Sequence, residues 1–191
     1  MKHFITISAP SGSGKTTLCR AIQKEIPDIN WSVSYTTRDR RDIEKDGIDY
    51  NFISAKDFDS FIVEGYFIEW ENVHGFYYGT AKSTMYNALE NDKILLMEMD
   101  VKGAMKIKQL FSKHTFSIFI APPSINHLRD RLRHRGTDSK KRIEVRLKRF
   151  KEEMEFKDKF DYVIINEELE LARKELIYII NKQRQGVMNG S

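Results

Sequence analysis

Residues 9–17, Ala-Pro-Ser-Gly-Ser-Gly-Lys-Thr-Thr, are the feature that most constrains what this chain can fold into. They follow the short apolar run Phe4–Ile7 and lead into a segment with apolar residues at helical spacing. A strand, a glycine-rich turn and a helix in this order are the context of a phosphate-binding P-loop. Gly12 and Gly14 let the backbone curl so that successive N–H groups point at an anion. The stretch therefore predicts binding of a nucleotide polyphosphate.

Two side chains after the turn strengthen this prediction. Lys15 can reach the β- and γ-phosphates of a nucleotide, and the Thr16 hydroxyl is placed to ligate a magnesium ion. The first glycine of the usual G-x-x-x-x-G-K-[ST] pattern is Ala9 here, which fits the loop if its φ is negative. An ordinary Ser/Gly turn before a helix is the alternative, but it gives the Lys-Thr pair no role.

The composition fits one soluble domain. Of the 191 residues, 40% are hydrophobic, enough for a sizeable core, and 31% are charged. There is no apolar run long enough for a transmembrane helix and no signal-peptide pattern. Cys19 is the only cysteine, so no intrachain disulfide can form, as suits a reducing cytoplasm. The net charge of +4 favours anionic partners. We expect a cytoplasmic protein without a membrane partner.

Short apolar strands alternate with amphipathic helices along most of the chain. Ile94–Met97 and Phe116–Ala121 are continuous apolar runs, as strands buried on both faces require, and Tyr162–Ile165 is the last strand. One helical stripe between them holds Ile107, Leu110 and Phe111. The alternation predicts an α/β fold: a P-loop NTPase core with a parallel β-sheet flanked by helices.

The segment from 34 to 81 departs from this alternation. Trp31–Tyr35 is predicted to be one short strand, and Ser54 begins a capping box with an amphipathic helix behind it. The stretch Tyr66–Thr80, rich in aromatic residues, predicts short strands and turns. The segment is therefore expected to form a small α+β lobe inserted into the core.

Four motifs together resemble those of the guanylate kinase family, and the resemblance runs from end to end of the chain. They are Ser11–Thr17, Ser34–Arg38 with Arg41 and Asp49–Tyr50, Tyr78–Thr80, and Arg135–Ser139. The resemblance implies a single domain with a core at 1–33, 82–126 and 150–191, a GMP-binding lobe at 34–81 and a helical lid at 127–149. Departures from the family's pattern are Arg40, Ile43, Thr80 and Lys102, which affect loop geometry more than the reaction.

The resemblance also implies an activity. A guanylate kinase phosphorylates GMP, and dGMP, with ATP as donor and Mg²⁺ as cofactor, in purine nucleotide metabolism. The implied ATP-binding residues are Pro10, Ser11, Gly12, Ser13, Gly14, Lys15, Thr16, Thr17 and Asn166. The implied catalytic residues are Lys15, Arg41, Arg135 and Arg146. The sequence is compatible with a monomer or a homo-oligomer.

Two arginines and their neighbours form the candidate site for the acceptor's phosphate. A nucleoside monophosphate presents a compact dianion, which two guanidinium forks and hydroxyl groups can satisfy. Arg38 and Arg41, flanked by Ser34 and Tyr50, offer this set, and the resemblance assigns it to the GMP phosphate. A solvated basic loop is the alternative.

Glu69 and Thr80 are the candidates for reading the base. Guanine offers two adjacent donors, N1–H and the N2 amino group, and one carboxylate accepts both. Adenine has an acceptor at N1, which the same carboxylate would repel. Thr80 can donate to O6 of guanine, while the resemblance gives Tyr78 a role in stacking or phosphate binding. Without the resemblance, Glu69 is indistinguishable from a surface glutamate.

Glu98 and Asp100 follow a buried strand and, two residues apart, face the same side. Carboxylates at the carboxyl end of a parallel strand lie in the ligand crevice. We predict Asp100 as a metal ligand together with Thr16, acting through water, and Glu98 as a contact of the acceptor nucleoside. The reverse assignment stays open, as does a solvated pair of loop residues.

Residues 129–151 carry eleven lysines and arginines against three acids. A nucleic-acid surface is one explanation, but few aromatic residues are interleaved for base stacking. The run spans two predicted helices joined by a glycine, as in a hinged lid. The resemblance places Arg135 and Arg146 on the transferring phosphoryl group, supported by Arg131 and Arg142. We therefore expect no nucleic-acid partner.

Two other functions remain open at this point. One is a different small-molecule kinase on the same core, which would lack a guanine-reading edge. The other is a non-catalytic guanylate-kinase-like module that binds a phosphorylated peptide, against which Lys15 and Thr16 argue. The histidines show no metal-ligand spacing and are expected to be surface or hydrogen-bonded residues; they are His74, His114, His127 and His134.

Overall fold

The computed structural model describes residues 2–10, 12–73, 75–134 and 140–188. The strands are β1 (Phe4–Ser8), β2 (Asn30–Trp31), β3 (Tyr35–Thr36), β4 (Asn51–Phe52), β5 (Phe67–Val73), β6 (Phe76–Ala81), β7 (Leu95–Glu98), β8 (Thr115–Ala121) and β9 (Tyr162–Ile165). The helices are α1 (Lys15–Glu25), α2 (Ala55–Val63), α3 (Lys82–Glu90), α4 (Val101–Leu110), α5 (Ile125–His134), α6 (Lys140–Met154) and α7 (Leu169–Met188). Within these ranges, no helix combines the length and apolar character needed to cross a membrane.

A five-stranded parallel sheet forms the centre of the fold, in the order β2-β7-β1-β8-β9. Successive side chains of a strand point to opposite faces, and β1 shows this directly. Ile5 and Ile7 pack in one apolar cluster with α1 and α7, while Phe4 packs in a second cluster with α3 and α4. Both faces are therefore covered by helices, which confirms the predicted α/β class.

Four strands form a second sheet, in the order β4-β3-β6-β5. Strands β5 and β6 form an antiparallel hairpin at one side of this sheet, which turns at Gly75 with a φ of 85°. Helix α2 packs on this sheet through Phe58, whose ring stacks on Phe67 and Tyr77. The predicted cap of α2 is confirmed, because the Ser54 hydroxyl accepts a hydrogen bond from the Asp57 N–H at 3.1 Å.

Two predictions of local structure are wrong. The strand expected over Trp31–Tyr35 is split: β2 belongs to the parallel sheet and β3 to the second sheet. The chain crosses between the sheets at 32–34, so the Ser32 N–H bonds Leu96 O while Ser34 O accepts from Asn51 N–H. Leu110, placed in the apolar stripe of α4, is 52% exposed because the helix ends there and leaves the core.

Candidate active site

The P-loop connects β1 to α1 and has the backbone that phosphate binding requires. Gly12 and Gly14 have φ values of 89° and 90°, in the left-handed region that favours glycine. A Cβ on Gly14 would lie 2.6 Å from the Asn166 amide nitrogen, which itself donates to Ser13 O at 2.7 Å. No residue of the described loop other than these glycines has a positive φ, so Ala9 fits as expected.

Lys15 and Thr16 begin α1 and meet the carboxyl end of β7. The Lys15 ammonium donates to Met99 O at 2.8 Å and lies 3.8 Å from a Glu98 oxygen. The Thr16 hydroxyl donates to the same Glu98 oxygen at 2.9 Å. Among the other predicted residues, Pro10 O accepts from Ser13 N–H, Thr17 is exposed on the first turn, and Ser11 lies outside the described residues. The start of α1 and the end of β7 therefore bring an ammonium, a hydroxyl and a carboxylate to one point.

The residues predicted to bind the acceptor's phosphate line a cavity that also contains Lys15 and Thr16. Arg38 is held by aromatic neighbours: its Nε donates to the Tyr78 hydroxyl at 3.2 Å, and its guanidinium carbon lies 5.5 Å from the centre of the Tyr50 ring. Its side chain is only 12% exposed, whereas that of Arg41 is 68% exposed. Ser34 also lines the cavity. The structure thus brings these predicted residues together.

Glu44 lines the cavity beside both arginines and was missed by the sequence analysis. The residue is 4% exposed, and its two carboxylate oxygens accept from the Arg38 guanidinium at 2.9 and 3.1 Å. Burial alone would raise the pKa of Glu44, but hydrogen bonds from Arg38 and the Arg41 N–H lower it below its usual value. No signal in the sequence distinguishes it from the other acids of this loop.

Glu69 and Thr80, the predicted base-reading pair, face each other across β5 and β6. The Thr80 hydroxyl donates to a Glu69 oxygen at 2.6 Å, and the two residues are 1% and 5% exposed respectively. Burial raises the pKa of Glu69 to about 7, the hydrogen bond from Thr80 opposes this, and the Asp100 charge adds to it. A buried carboxylate at a cavity wall is thus present where a guanine edge was expected to bind.

Asp100 caps α4 beside this pair. One of its oxygens accepts from the Lys102 and Gly103 N–H groups at 2.9 and 3.2 Å. A Cβ on Gly103 would lie 3.0 Å from a Glu69 oxygen and 3.4 Å from an Asp100 oxygen. Asp100 is therefore on the base-reading side and Glu98 on the P-loop side. This arrangement favours the reverse of the roles predicted for the two acids.

One cavity of about 260 Å³ joins these parts and is lined from both sheets. Helix α6 adds Arg149 and Glu153, which the sequence analysis did not single out; Arg149 Nε donates to a Glu153 oxygen at 2.8 Å. Arg135 lies outside the described residues. Of Arg146 the structure describes only the backbone, which belongs to α6, and the supporting candidates Arg131 and Arg142 likewise have no described side chain. The lid assignments stay predictions.

Cys19, His114 and His127 have buried or hydrogen-bonded surroundings, whereas His74 lies outside the described residues and His134 has no described side chain. Cys19 is buried at the cavity wall, and burial raises the pKa of its thiol. His114 Nδ1 lies 2.9 Å from His3 Nδ1, and His127 is hydrogen-bonded to Ser124, as expected for satisfied side chains. Across the part of the chain that the structure describes, no three His, Cys, Asp or Glu residues are arranged to hold a metal ion.

Comparison with known proteins agrees with this geometry. The sequence model of the family described as "Guanylate kinase" matches residues 1–183. The guanylate kinase of Syntrophotalea carbinolica is 45% identical over 177 residues, covering 93% of this chain and 84% of the relative. That of Carboxydothermus hydrogenoformans is 39% identical over 181 residues, covering 95% of this chain and 88% of the relative.

A solved structure gives the same result at the level of the fold. The crystal structure of guanylate kinase from Anaplasma phagocytophilum superposes with a TM-score of 0.77 at 30% identity. The match covers 95% of this chain and 86% of that one. A P-loop, two arginines and a buried carboxylate around one cavity therefore occur on the fold of these relatives. The chain belongs to the guanylate kinase family.

Proposed function

We infer that the protein transfers the γ-phosphoryl group of ATP to the phosphate of GMP, and of dGMP, forming ADP and the diphosphate. One observation carries this inference: Lys15 and Thr16 line the same cavity as the buried Glu69, which is hydrogen-bonded to Thr80. The Glu69 carboxylate offers acceptors for guanine N1–H and N2, and the Thr80 hydroxyl can turn to donate to O6. A small-molecule kinase for another acceptor would have no use for this buried acid.

Catalysis requires positioning and positive charge rather than a general base. The acceptor phosphate has a second pKa near 6, so it is largely an oxyanion at pH 7. Arg38 and Arg41 hold it in line with ATP, and Lys15 holds the β- and γ-phosphates. We propose that Arg135 and Arg146 complete the set of cations around the moving phosphoryl group.

The residues at the P-loop fit a magnesium ion. Mg²⁺ binds proteins through one or two oxygen ligands and keeps the rest of its shell for water and substrate phosphates. The Thr16 hydroxyl and the Glu98 carboxylate, 2.9 Å apart, supply such oxygens. When bound with ATP, the ion would neutralise charge on the β- and γ-phosphates. We therefore propose Thr16 and Glu98 for the metal side, and Asp100 for the guanine side.

Asn166 contacts the backbone of the P-loop, a role that the sequence did not predict. It is 2% exposed, and its amide nitrogen donates to Ser13 O. We propose that Asn166 holds the P-loop backbone in place and acts on ATP through it. The direct adenine contact implied by the resemblance remains a prediction, as does the division into core, lobe and lid. We place the reaction in purine nucleotide metabolism in the cytoplasm, where ATP and GMP are available.

A coupled assay of ADP production tests the function. The purified protein is given ATP and Mg²⁺ with GMP, dGMP, AMP, CMP or UMP in turn. We expect turnover with GMP and dGMP and little with the others. A folded protein that makes no ADP with GMP contradicts the inference, as a module that only binds a phosphorylated peptide would do.

A matched pair of variants links the activity to the P-loop. Lys15→Met removes the ammonium that faces the phosphates and is expected to lower kcat by about 10³-fold or more. Lys24→Met removes the same charge from an exposed position in the last turn of α1 and is expected to leave kcat unchanged. Equal loss in both variants would point to the stability of α1 instead.

A further inference from the structure

The loop between β3 and β4 has to hold two long side chains in place, although it contains only turns and an isolated bridge. An arginine side chain that is fixed in one rotamer loses conformational entropy. If Arg38 and Arg41 were ordered only when the acceptor arrives, this loss would reduce its affinity. The loop therefore gains from a partner that orders both arginines beforehand.

Glu44 has the contacts of such a partner. Its oxygens accept from Arg38 Nη2 at 2.9 and 3.1 Å, and one of them also accepts from the Arg41 N–H at 2.9 Å. The Arg41 guanidinium lies 3.7 Å from the other oxygen. The Glu44 side chain is 5% exposed, so these groups, rather than water, satisfy its charge.

The remaining edges of the Arg38 guanidinium are also engaged. Arg38 Nε donates to the Tyr78 hydroxyl at 3.2 Å, and Arg38 Nη1 donates to Asp39 O at 2.6 Å. The rings of Tyr50 and Phe52 lie beneath the guanidinium carbon, at 5.5 and 5.7 Å. The orientation of this group is therefore determined by the folded protein before any substrate binds, and Glu44 provides its only charged contact within the described residues.

We propose that Glu44 is a positioning residue for the acceptor: its buried carboxylate fixes Arg38 and the Arg41 backbone so that both guanidinium groups are ready for the GMP phosphate. This proposal rests on the proposed function, since it concerns the acceptor of that reaction. Glu44 also offsets the repulsion between two arginines that must converge on one anion. It acts through the arginines and does not itself touch the substrate.

A competing explanation gives Glu44 the opposite effect. Its carboxylate could occupy the place of the acceptor's phosphate and be displaced when GMP binds. Removing the negative charge would then strengthen GMP binding, because a competitor and a repelling charge are both lost. If Glu44 is a positioning residue, the same change weakens GMP binding. The sign of the effect therefore separates the two.

The test compares Glu44→Gln with Asp42→Asn. Both changes remove one negative charge from the same loop, but the Asp42 side chain is exposed and has no role in the site. GMP binding is measured by calorimetry, and binding of guanosine, which lacks the phosphate, by its inhibition of turnover. For Glu44→Gln we expect GMP binding to weaken by about tenfold or more, with guanosine inhibition and the KM for ATP unchanged. Asp42→Asn should match the wild type.

Each other outcome overturns the proposal. Tighter GMP binding in Glu44→Gln means that Glu44 competes with the GMP phosphate. Unchanged GMP binding means that Glu44 has no part in it. Equal loss of GMP and guanosine binding identifies a general collapse of the lobe. If Glu44→Gln does not fold, Glu44→Asp keeps the charge with a shorter side chain and should weaken GMP binding while sparing guanosine. Wild-type turnover of GMP, measured first, tests the proposed function separately.

Discussion

At the scale of single residues, the proposed role of Glu69 conflicts with the stability of the folded protein. A carboxylate that reads guanine must be ionised and must lie at the bottom of a cavity, but burial penalises the ionised form. The one hydrogen bond from Thr80 compensates only in part, since burial raises the pKa of Glu69 to about 7. Guanine's two donors would supply the missing partners. If Glu69 reads guanine, binding of the base would relieve the cost of burying this carboxylate in its ionised form.

Glu69→Gln should reduce the preference for guanine. One acceptor becomes an NH₂ donor that faces a donor of guanine, so a hydrogen bond is lost and a mismatch is created. A buried unpaired group costs about 1–3 kcal/mol, which corresponds to a roughly 5- to 150-fold loss of kcat/KM for GMP. AMP, with an acceptor at N1, should lose nothing. Measuring kcat/KM for both acceptors decides the matter, and an unchanged ratio means that guanine is read elsewhere.

The same variant should be more stable than the wild type at high pH. The Glu69 pKa is about 7 in the folded protein against an ordinary value of 4.5, so the folded state binds a proton that the unfolded state releases. Stability from this group is therefore full below pH 4.5 and falls as the pH rises to 7. One pKa unit corresponds to about 1.4 kcal/mol, so at pH 8 the charge costs on the order of 3 kcal/mol.

Denaturant unfolding at pH 5 and pH 8 measures this effect. The gain in the free energy of unfolding from Glu69→Gln should be larger at pH 8. Glu90→Gln, an exposed change at the end of α3, should show no such difference between the two pH values. If Glu69→Gln raises the free energy of unfolding equally at both pH values, the charge of Glu69 carries no penalty and the effect comes from packing.

At the scale of elements, the strand–loop–helix unit of the P-loop was predictable because its signals are local. Glycines, a lysine and a threonine at fixed spacing define the backbone, and the structure shows positive φ at both glycines. The continuous apolar strands and the cap of α2 were predictable for the same reason. The split of Trp31–Tyr35 was not, because an extended chain looks the same whichever sheet supplies its hydrogen bonds.

Gly14 can be compared with Gly75, since both have a φ near +90°. An alanine at Gly75 would meet no atom within 4 Å, so Gly75→Ala should cost only the backbone strain of about 1–2 kcal/mol. Gly14→Ala also pushes the Asn166 amide away from Ser13 O, which adds about 1–3 kcal/mol. Chemical denaturation of both variants measures the difference, and only Gly14→Ala should weaken ATP binding. Equal effects would show that Asn166 yields at no cost.

Helix α6 carries the prediction for the lid. If Arg146 acts on the transferring phosphoryl group, Arg146→Ala should lower kcat by about 10³-fold, with the KM for GMP nearly unchanged. Arg135→Ala should behave in the same way. Lys148→Ala, an exposed basic residue on the same helix, is the control and should retain its activity. If Arg146→Ala instead raises the KM and leaves kcat intact, the arginine is a substrate ligand.

At the scale of the whole molecule, the site exists only because two sheets meet. Thr16 and Glu98 come from the parallel sheet and its first helix, whereas Glu69 comes from the second sheet and Arg38 from the loop between its strands β3 and β4. Sequence motifs located most of these residues, since each lies within a recognisable segment. Glu44 and Arg149 were missed because their roles depend on contacts across folded segments, and no spacing in the sequence records such contacts. The division of roles between Glu98 and Asp100 stays a prediction: the sequence favours Asp100 for the metal ion, whereas the contacts favour Glu98.

Glu98 and Asp100 provide a test of the proposed division between magnesium binding and guanine binding. Glu98 faces the Thr16 hydroxyl, so Glu98→Gln should raise the Mg²⁺ concentration for half-maximal rate while changing the KM for GMP little. Asp100 lies beside Glu69, so Asp100→Asn should raise the KM for GMP at unchanged Mg²⁺ dependence. Asparagine is also a good N-cap, so α4 should keep its start in this variant. Each variant is the control for the other, because both neutralise one carboxylate at the end of the same strand. If Asp100→Asn alters the Mg²⁺ dependence and Glu98→Gln alters the KM for GMP, the assignment made from the sequence was right and the one made from the contacts is wrong.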